Sequence, residues 1–293
     1  MSEPRVMPAR GRLRSAASAS GPETGGPRHV EVLGRRVRVD VRPGPDGGRP
    51  LLMLMGLGGN IEMWEPFRRL LAERTGRTTV AYDVPGTGES PAPLLPWPLP
   101  LHGALAARLM TQLGLSEFDV MGLSWGGLLV QQVALTVPNR VGRVVLANTN
   151  FGIGSVPGRP SVIRVLATLD RYRSAAALAD AASAFGGGAA PDTMSEHSAA
   201  RLARPPSWRG YYYQMLALSG WSSLATLPLL RRPVLLLTGD DDPAIPVINA
   251  RVMSALLPDS RLHVVAGAGH LLLFDRPAEA ADVVAGFLGA EKG

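Results

Sequence analysis

The sequence contains no cysteine. This absence excludes disulfide bonds, thiolate metal sites and a cysteine nucleophile, so any catalysis must use oxygen and imidazole groups. No apolar run approaches the roughly 20 residues that a membrane-spanning helix needs, and no apolar stretch follows the N-terminal arginines as in a signal peptide. We therefore expect a chain without a membrane span, located in the cytoplasm.

Lysine is almost as rare, since Lys292 is the only one among 30 basic residues. The excess of arginine accompanies 34 glycines and 26 prolines, which indicates a bias in composition rather than selection for phosphate contacts. Neither a basic helix nor a basic face interleaved with aromatic residues is present. The net charge of +6 therefore does not predict a nucleic-acid partner.

The N-terminal part of the chain divides into a tail and a hairpin. Residues 1–27 are rich in Arg, Ser, Ala, Gly and Pro and have no hydrophobic period, so we predict a disordered basic tail. From His29 to Val41, valines alternate on both sides of Leu33 and Gly34. This alternation predicts an antiparallel hairpin.

After the hairpin, short apolar runs alternate with helical segments. The runs are Leu51–Met55, Thr78–Tyr82, Phe118–Met121, Val141–Ala147, Val234–Thr238 and Leu262–Val265. Their succession predicts an α/β fold with a mostly parallel, doubly wound sheet.

About 80 residues separate the fourth and fifth runs, too many for a simple crossover. We predict a core of residues 28–147 and 233–293 and a helical cap inserted at residues 148–232. Within the cap, Ala-rich stretches predict helices at Ser161–Tyr172 and Ser174–Phe185.

A candidate nucleophile lies directly after the run Phe118–Met121. Ser124 is the centre of Gly-Leu-Ser-Trp-Gly, which matches G-x-S-x-G, and a helical stretch follows from Gly127 to Val137. In this strand, turn and helix arrangement the serine hydroxyl is exposed at a strained turn that needs flanking glycines. We predict that Ser124 is a nucleophile.

A serine nucleophile needs a base, and a histidine is well matched to that task near neutral pH. His270 follows Gly267-Ala268-Gly269 in the loop after the last predicted strand, where it can reach the C-terminal edge of the sheet. The other histidines lie in predicted strands, at a helix start or in the cap, which favours packing or surface roles. We therefore predict His270 as the base.

An acid that orients the base is expected on a loop after a core strand. Three adjacent aspartates, Asp240, Asp241 and Asp242, follow Val234–Thr238. All of them preserve the order serine, acid, histidine that is typical of the α/β-hydrolase fold. Asp240 and Asp241 are more simply explained as turn residues that bond local backbone groups, although Asp241 stays open as the acid.

The oxyanion of an acyl-transfer reaction needs two N–H donors, one after the nucleophile and one from the loop after the first parallel strand. These positions are Trp125 and, in the loop Gly56–Asn60, Leu57. A phosphate-binding function of this loop is rejected because it lacks both G-x-G-x-x-G and a Walker lysine.

The predicted cap contains a cluster of aromatic residues, although aromatics make up only 5% of the chain. Its members are Trp208, Tyr211, Tyr212, Tyr213 and Trp221. We predict an apolar substrate site that includes Tyr211, Tyr212, Tyr213 and Trp221. Any single aromatic could instead belong to the cap's own core, and helical geometry prevents three consecutive tyrosines from all facing one pocket.

Five segments resemble the intracellular medium-chain-length poly(3-hydroxyalkanoate) depolymerases. They are DVPGTGES (Asp83–Ser90), GLSWGG (Gly122–Gly127), VPGRP (Val156–Pro160), GYYYQMLALSGW (Gly210–Trp221) and GDDDPAIPVIN (Gly239–Asn249). The resemblance implies an α/β-hydrolase that degrades storage polyester to 3-hydroxy acids at a granule surface, without metal or organic cofactor. It also implies Asp242 as the acid, by similarity to a G-x-x-D-x-x-x-P loop, while Asp241 stays open.

Two other functions remain as alternatives. A carboxylesterase or lipase would use the same residues on small or acyl-glycerol esters. A non-catalytic scaffold would bind an apolar ligand or coat granules, and fold alone does not separate these functions. The sequence indicates no protein partner.

Overall fold

The computed structural model describes residues 26–186 and 198–289 of the chain. The predicted disordered tail, residues 1–27, lies outside the described residues except for its last two positions. Within these ranges, no helix combines the length and the apolar character needed to cross a lipid bilayer.

Eight strands form one sheet in the order β1-β2-β4-β3-β5-β6-β7-β8. The strands are β1 (Arg28–Val32), β2 (Arg35–Arg42), β3 (Asp46–Leu54), β4 (Arg77–Tyr82), β5 (Phe118–Leu123), β6 (Val141–Ala147), β7 (Val234–Gly239) and β8 (Ser260–Val265). The β1–β2 and β2–β4 pairs are antiparallel, whereas the pairs from β3 to β8 are parallel. The predicted α/β fold, with its N-terminal hairpin, is confirmed.

The central strands β5 and β7 are buried along their whole length. This burial explains their continuous apolar sequences, because a parallel sheet covered by helices has no solvent-facing side. One face packs against α2 (Leu99–Gln112), α3 (Trp125–Thr136) and α7 (Ile248–Leu256), and the other against α1 (Glu65–Thr75), α8 (Leu272–Asp275) and α9 (Pro277–Gly289).

The segment between β6 and β7 contains α4 (Pro160–Leu166), α5 (Ala175–Ser183) and α6 (Trp208–Leu216). Residues 198–203 are also helical. The helix predicted over Ser161–Tyr172 is shorter than expected, because α4 ends at Leu166 and only Asp170–Tyr172 resumes as a 3-10 turn. Arg171 accounts for the break, since its Nη1 donates to the carbonyls of Val165 and Thr168 near the end of α4.

The loop after β4 is organised by a buried carboxylate. Asp83 accepts hydrogen bonds from the N–H groups of Ile61 and Glu89 and pairs with Arg38. Its contacts join three separate segments of chain and hold the loop after β4 in place.

Candidate active site

Ser124 occupies a strained turn between β5 and α3, with φ 54° and ψ −120°. Positive φ is rare for a residue with a side chain. The flanking glycines make the turn possible, because a Cβ on Gly122 would overlap Gly126 O and a Cβ on Gly126 would overlap Leu54 O. The G-x-S-x-G pattern therefore corresponds to a backbone arrangement in which the serine side chain is presented at the end of the sheet.

Ser124, His270 and Asp242 form one hydrogen-bonded chain. Ser124 Oγ lies 3.0 Å from His270 Nε2, and His270 Nδ1 lies 2.8 Å from Asp242 Oδ2. Asp242 and His270 are both buried. Because the loops after β5, β7 and β8 meet at one edge of the sheet, residues 146 and 28 positions apart come into contact.

The three adjacent aspartates have different contacts. Asp242 Oδ1 accepts from the N–H groups of Ala244 and Ile245, both at 2.8 Å, which leaves Oδ2 directed at His270. Asp240 accepts from Gly267 N–H, and the Asp241 N–H donates to Ala268 O. Of the two acids left open by the sequence, the structure places Asp242 next to the imidazole.

The loop that carries His270 is held by a residue that sequence reasoning missed. Asn148 follows β6 with φ 40° and is fully buried. Its Nδ2 donates to Gly269 O and His270 O, and its Oδ1 accepts from Gly239 N–H. An asparagine directly after a core strand was the available signal, because asparagine tolerates positive φ better than most residues.

The cap also contacts His270. The ring of Phe185 stacks on the imidazole with centroids 5.6 Å apart, and Phe185 O accepts the His270 N–H at 2.8 Å. Phe185 lies just beyond α5, so the cap takes part in orienting the imidazole.

The predicted oxyanion donors lie on two loops beside Ser124. Trp125 is the first residue of α3, and the first N–H groups of a helix have no intrahelical acceptor. A Cβ built on Gly56 would lie 3.4 Å from Ser124 Cβ, which places the loop of Leu57 against the serine. The loop of Leu57 and the start of α3 therefore both adjoin Ser124, and the donor roles of Leu57 and Trp125 stay predictions.

Gln214 of α6 joins these two loops. Its Oε1 accepts from Gly58 N–H at 2.8 Å, and its backbone O accepts from Trp125 Nε1 at 2.9 Å. The side chain is buried. Gln214 belongs to the Tyr-rich segment GYYYQMLALSGW that carries part of the resemblance. Its hydrogen bond to Gly58 spans 156 positions, and no local sequence pattern predicts that bond.

The other described histidines are not part of the hydrogen-bonded chain that contains Ser124. His102 is buried against the rings of Trp97 and Trp125, and burial lowers its pKa to about 4. It is therefore neutral at pH 7. His29 contacts Glu89 O and Arg36, and His263 lies in β8, whereas the predicted cap residue His197 lies outside the described residues.

A small cavity opens beside Ser124. Its volume is about 50 Å³, and most of its lining residues are apolar. The lining consists of Met55, Gly56, Leu57, Met63, Leu123, Ser124, Leu166, Arg171, Leu178, Ala182, Phe185, Arg201, His270, Leu271 and Phe274. Core and cap residues thus enclose the serine together.

The four aromatic residues predicted to bind substrate do not line this cavity. Tyr211 is fully buried and hydrogen bonds to Leu166 O and Arg171, whereas Tyr212 is partly exposed. Tyr213 donates to Leu94 O, and Trp221 Nε1 donates to Gln132 Oε1. The Tyr211 and Tyr212 hydroxyls bond to consecutive carbonyls, Leu166 O and Ala167 O, whereas Tyr213 bonds to Leu94 O. The three tyrosines therefore do not all face one pocket, as helical geometry requires, and the substrate-binding role of all four stays a prediction.

The described part of the chain contains no group of three or more His, Asp or Glu side chains arranged to hold a metal ion. Around Ser124, the groups available for chemistry are a hydroxyl, an imidazole, a carboxylate and backbone N–H donors.

Comparison with known proteins identifies the family of the chain. A model of the alpha/beta hydrolase fold family matches residues 49–277. A poly(3-hydroxyalkanoate) depolymerase from Ectopseudomonas oleovorans is 37% identical over 266 residues, which cover 90% of this chain and 93% of that protein.

Solved structures of the same fold are more distant in sequence. An enol-lactonase from Burkholderia xenovorans LB400 superposes with a TM-score of 0.77 at 23% identity, covering 90% of this chain and all of that one. An esterase from Exiguobacterium antarcticum has a TM-score of 0.77 at 20% identity, covering 91% of this chain and all of that one.

Proposed function

The chain belongs to the alpha/beta hydrolase family, and from this premise we propose that it is a serine hydrolase of carboxylic esters with Ser124, His270 and Asp242 as its catalytic residues. The observation that carries the proposal is the hydrogen-bonded chain from Ser124 Oγ through His270 to Asp242. The same constellation activates serine in unrelated hydrolases.

The proposed reaction has two acyl-transfer steps. His270 Nε2 accepts the Ser124 proton as Oγ attacks the ester carbonyl, and the imidazolium then gives that proton to the departing alcohol oxygen. Water next attacks the acyl-serine, again with His270 as base, and the acid is released. Asp242 holds Nδ1–H and stabilises the imidazolium, while its own position is set by Ala244 and Ile245.

Each tetrahedral intermediate carries a negative oxygen that needs preorganised donors. The N–H groups of Trp125 and Leu57 are proposed for this task, and each donor of this kind contributes about 3 kcal/mol to lowering the barrier. Gln214 contributes indirectly, because it holds both loops without touching the reacting atoms.

The proposed substrate is poly(3-hydroxyalkanoate), and the proposed location is the cytoplasm at the surface of a storage granule. The relative from Ectopseudomonas oleovorans, named as a depolymerase of this polyester, supports the substrate. The apolar lining of the cavity suits the pendant alkyl groups of such a polymer.

An exposed apolar face near the cavity further supports an insoluble substrate. Trp208, Tyr212 and Leu216 are spaced four residues apart on α6, and all three are exposed. Leu94 and Leu95, at 80% and 73% exposure, continue this face, because Tyr213 of α6 bonds to Leu94 O. Clustered exposed apolar side chains favour contact with an apolar surface.

The cavity size favours a second candidate, a carboxylesterase of small esters. A volume of about 50 Å³ is well below the 300–1,000 Å³ usual for ligand pockets, so a polymer chain requires the cap to move outward. A non-catalytic scaffold is opposed by the intact contacts among Ser124, His270 and Asp242.

The catalytic proposal is tested with Ser124→Ala and with the exposed Ser116→Ala as a matched control. Ser124→Ala is expected to abolish hydrolysis of p-nitrophenyl octanoate without lowering the melting temperature, and Ser116→Ala to leave both unchanged. Labelling of wild type but not Ser124→Ala by a serine-directed phosphonate is also expected. Near-normal kcat of Ser124→Ala would refute the serine mechanism.

The substrate proposal needs a separate comparison. Purified amorphous medium-chain granules, short-chain granules and triglyceride are given to the same enzyme, and released acid is measured. Preferential release of 3-hydroxy acids from medium-chain granules is expected. The replacement of Trp208 and Leu216 by Ser should slow granule hydrolysis while leaving p-nitrophenyl octanoate hydrolysis unchanged, and preference for triglyceride would favour the esterase candidate.

A further inference from the structure

Two arginines, Arg171 and Arg201, line the otherwise mostly apolar cavity that contains Ser124. Both side chains come from the segment between β6 and β7. Positive charge is costly in such surroundings unless an anion compensates for it. The mechanism proposed above uses neither residue.

Arg171 is almost fully buried, at 3% exposure. Its Nη2 donates to Tyr211 Oη, and its guanidinium lies 4.9 Å from the ring centroid of Tyr172. The buried Nε has no hydrogen-bond acceptor among the described residues. A donor therefore remains free on a side chain that lines the cavity.

Arg201 has still fewer partners. Nη1 donates to Tyr172 Oη at 3.2 Å, and the guanidinium lies 5.6 Å from that ring's centroid. Within residues 26–186 and 198–289, its buried Nε has no acceptor. Burial lowers the pKa of Arg201, as expected for a cation whose lost hydration is not replaced by a carboxylate.

Other buried arginines in the protein are compensated. Arg68 lies 2.6 Å from Asp40, and Arg38 bonds to both Glu62 and Asp83. In the described part of the chain, no carboxylate pairs with Arg171 or Arg201. The cavity therefore has a buried guanidinium, that of Arg171, and a partly buried one, that of Arg201, with no carboxylate partner among the described residues.

We propose that Arg171 and Arg201 bind the free carboxylate of the substrate, so that the enzyme acts on the carboxyl end of a 3-hydroxyalkanoate chain. This inference rests on the proposed function and names its substrate more closely. Guanidinium groups suit carboxylates because their N–H donors match the two oxygens. Both residues line the cavity, and their buried Nε atoms have no acceptor among the described residues.

The last ester of the polymer and the free carboxylate next to it are close enough to occupy one cavity together. In the group –CO–O–CHR–CH2–COO⁻, the carboxylate is separated from the ester oxygen by two carbon atoms. Ser124 would attack the carbonyl carbon, and the ester C–O bond would break. The departing alkoxide would take its proton from His270 and leave as one 3-hydroxy acid, while the remaining chain stays as the acyl-serine until water releases it.

The competing explanation for the two arginines at the cavity is a purely structural role. This explanation applies more to Arg171 than to Arg201. That residue also donates to Val165 O and Thr168 O, so its loss would disturb the end of α4. Among the described residues, the hydrogen bond and the ring contact of Arg201 are both with Tyr172, so the loss of the Arg201 side chain would disturb no helix end. The decisive variants are therefore made at Arg201.

The test compares the dimer of 3-hydroxyoctanoic acid with its methyl ester, which has the same scissile ester but no carboxylate. Wild type is expected to favour the free acid by about 10- to 100-fold in kcat/KM, the range for a charge-assisted hydrogen bond. Arg201→Gln should remove most of this preference by raising KM for the free acid, with a much smaller effect on the methyl ester. Arg201→Lys should retain part of it.

Arg173→Gln is the matched control, because Arg173 belongs to the same segment but is exposed and lies 3.5 Å from Asp170. It should retain the wild-type preference. A second measurement uses wild type alone and so does not depend on whether the variants fold. In it, 3-hydroxyoctanoate should inhibit the hydrolysis of p-nitrophenyl octanoate at least tenfold more strongly than the methyl ester of 3-hydroxyoctanoate does.

Equal hydrolysis of the acid and methyl-ester dimers by wild type would overturn the carboxylate site alone. Equal inhibition of wild type by 3-hydroxyoctanoate and its methyl ester would also overturn it. The same holds if Arg201→Gln loses activity on both dimers and melts at a lower temperature than wild type. If wild type hydrolyses no ester, the proposed function itself is wrong, and the carboxylate site is rejected with it.

Discussion

The sheet edge that carries Ser124, Asp242 and His270 and the cap that covers it are held together in different ways. At the sheet edge, buried parallel strands end in short loops, and backbone N–H groups and tight glycine turns position the side chains. The cap depends on long side chains, such as Arg171 and Gln214, that reach across large sequence separations. The first arrangement fixes the reacting groups, whereas the second shapes the space around them.

Substitutions at the sheet edge, and of the cap residue Gln214 that bonds to it, should therefore affect catalysis, whereas other substitutions in the cap should affect substrate selection and stability. Four predictions test this division, from the largest expected effect to the smallest.

Asp242→Asn should lower kcat by about three to four orders of magnitude, because an amide would favour the wrong imidazole tautomer. Asp241→Asn is the matched control, since it changes the adjacent residue in the same loop, and it should retain kcat within a few fold. Steady-state kinetics on p-nitrophenyl octanoate measure both. A larger loss of kcat in Asp241→Asn than in Asp242→Asn would mean that Asp241 is the catalytic acid.

Gln214→Leu should lower kcat by about tenfold with little change in KM. The substitution leaves Gly58 N–H without its acceptor and loosens the loop that carries the Leu57 donor. The exposed Gln112→Leu serves as the control. An effect confined to KM would mean that Gln214 supports substrate binding and does not support the tetrahedral intermediate.

Tyr211→Phe should lower the free energy of unfolding by about 1–3 kcal/mol, because it removes hydrogen bonds to Leu166 O and Arg171 from a buried site. Tyr212→Phe should change it by less than about 0.5 kcal/mol, since that hydroxyl is exposed and lies 3.3 Å from Ala167 O. Urea unfolding of both variants checks the difference. Equal stabilities would mean that the Tyr211 hydroxyl does not support the cap.

The smallest effect is expected at Asp275, at the end of α8. Both of its carboxylate oxygens are buried without a hydrogen-bond partner among the described residues, and burial raises its pKa to about 6. The folded state therefore holds a proton that the unfolded state releases near pH 4, and the carboxylate destabilises the fold increasingly as the pH rises from about 4 to 6.

Asp275→Asn should remove this penalty. The variant should melt a few degrees higher than wild type at pH 7.5, and the difference should shrink as the pH falls below 6. Melting curves between pH 4.5 and 8 measure it. A difference that does not vary with pH would show that the substitution acts through packing rather than through ionisation. Arg276 and His270 are the charged neighbours that moderate the shift.

Much of the fold could be predicted because its information is local. The apolar runs of the parallel strands indicate burial directly, and the alternating valines indicate strands, although Arg38 and Asp40 between the valines of β2 are buried as well. The turn at Ser124 was visible for the same reason, since glycines two positions before and after the serine are required by close backbone contacts. The break after α4 was not visible, because it depends on hydrogen bonds from Arg171 rather than on a helix-breaking residue.

The sequence by itself determined the sheet, the order of Ser124, the acid and His270, and the reacting groups available, because strand periodicity and turn chemistry operate over a few neighbouring residues. Tertiary structure decided between Asp241 and Asp242, brought Asn148 and Gln214 to the site, and directed Tyr213 away from Tyr211 and Tyr212. It also brought Arg171 and Arg201 to the lining of the cavity that contains Ser124. These outcomes depend on which distant segments share a buried space, and no local pattern encodes that.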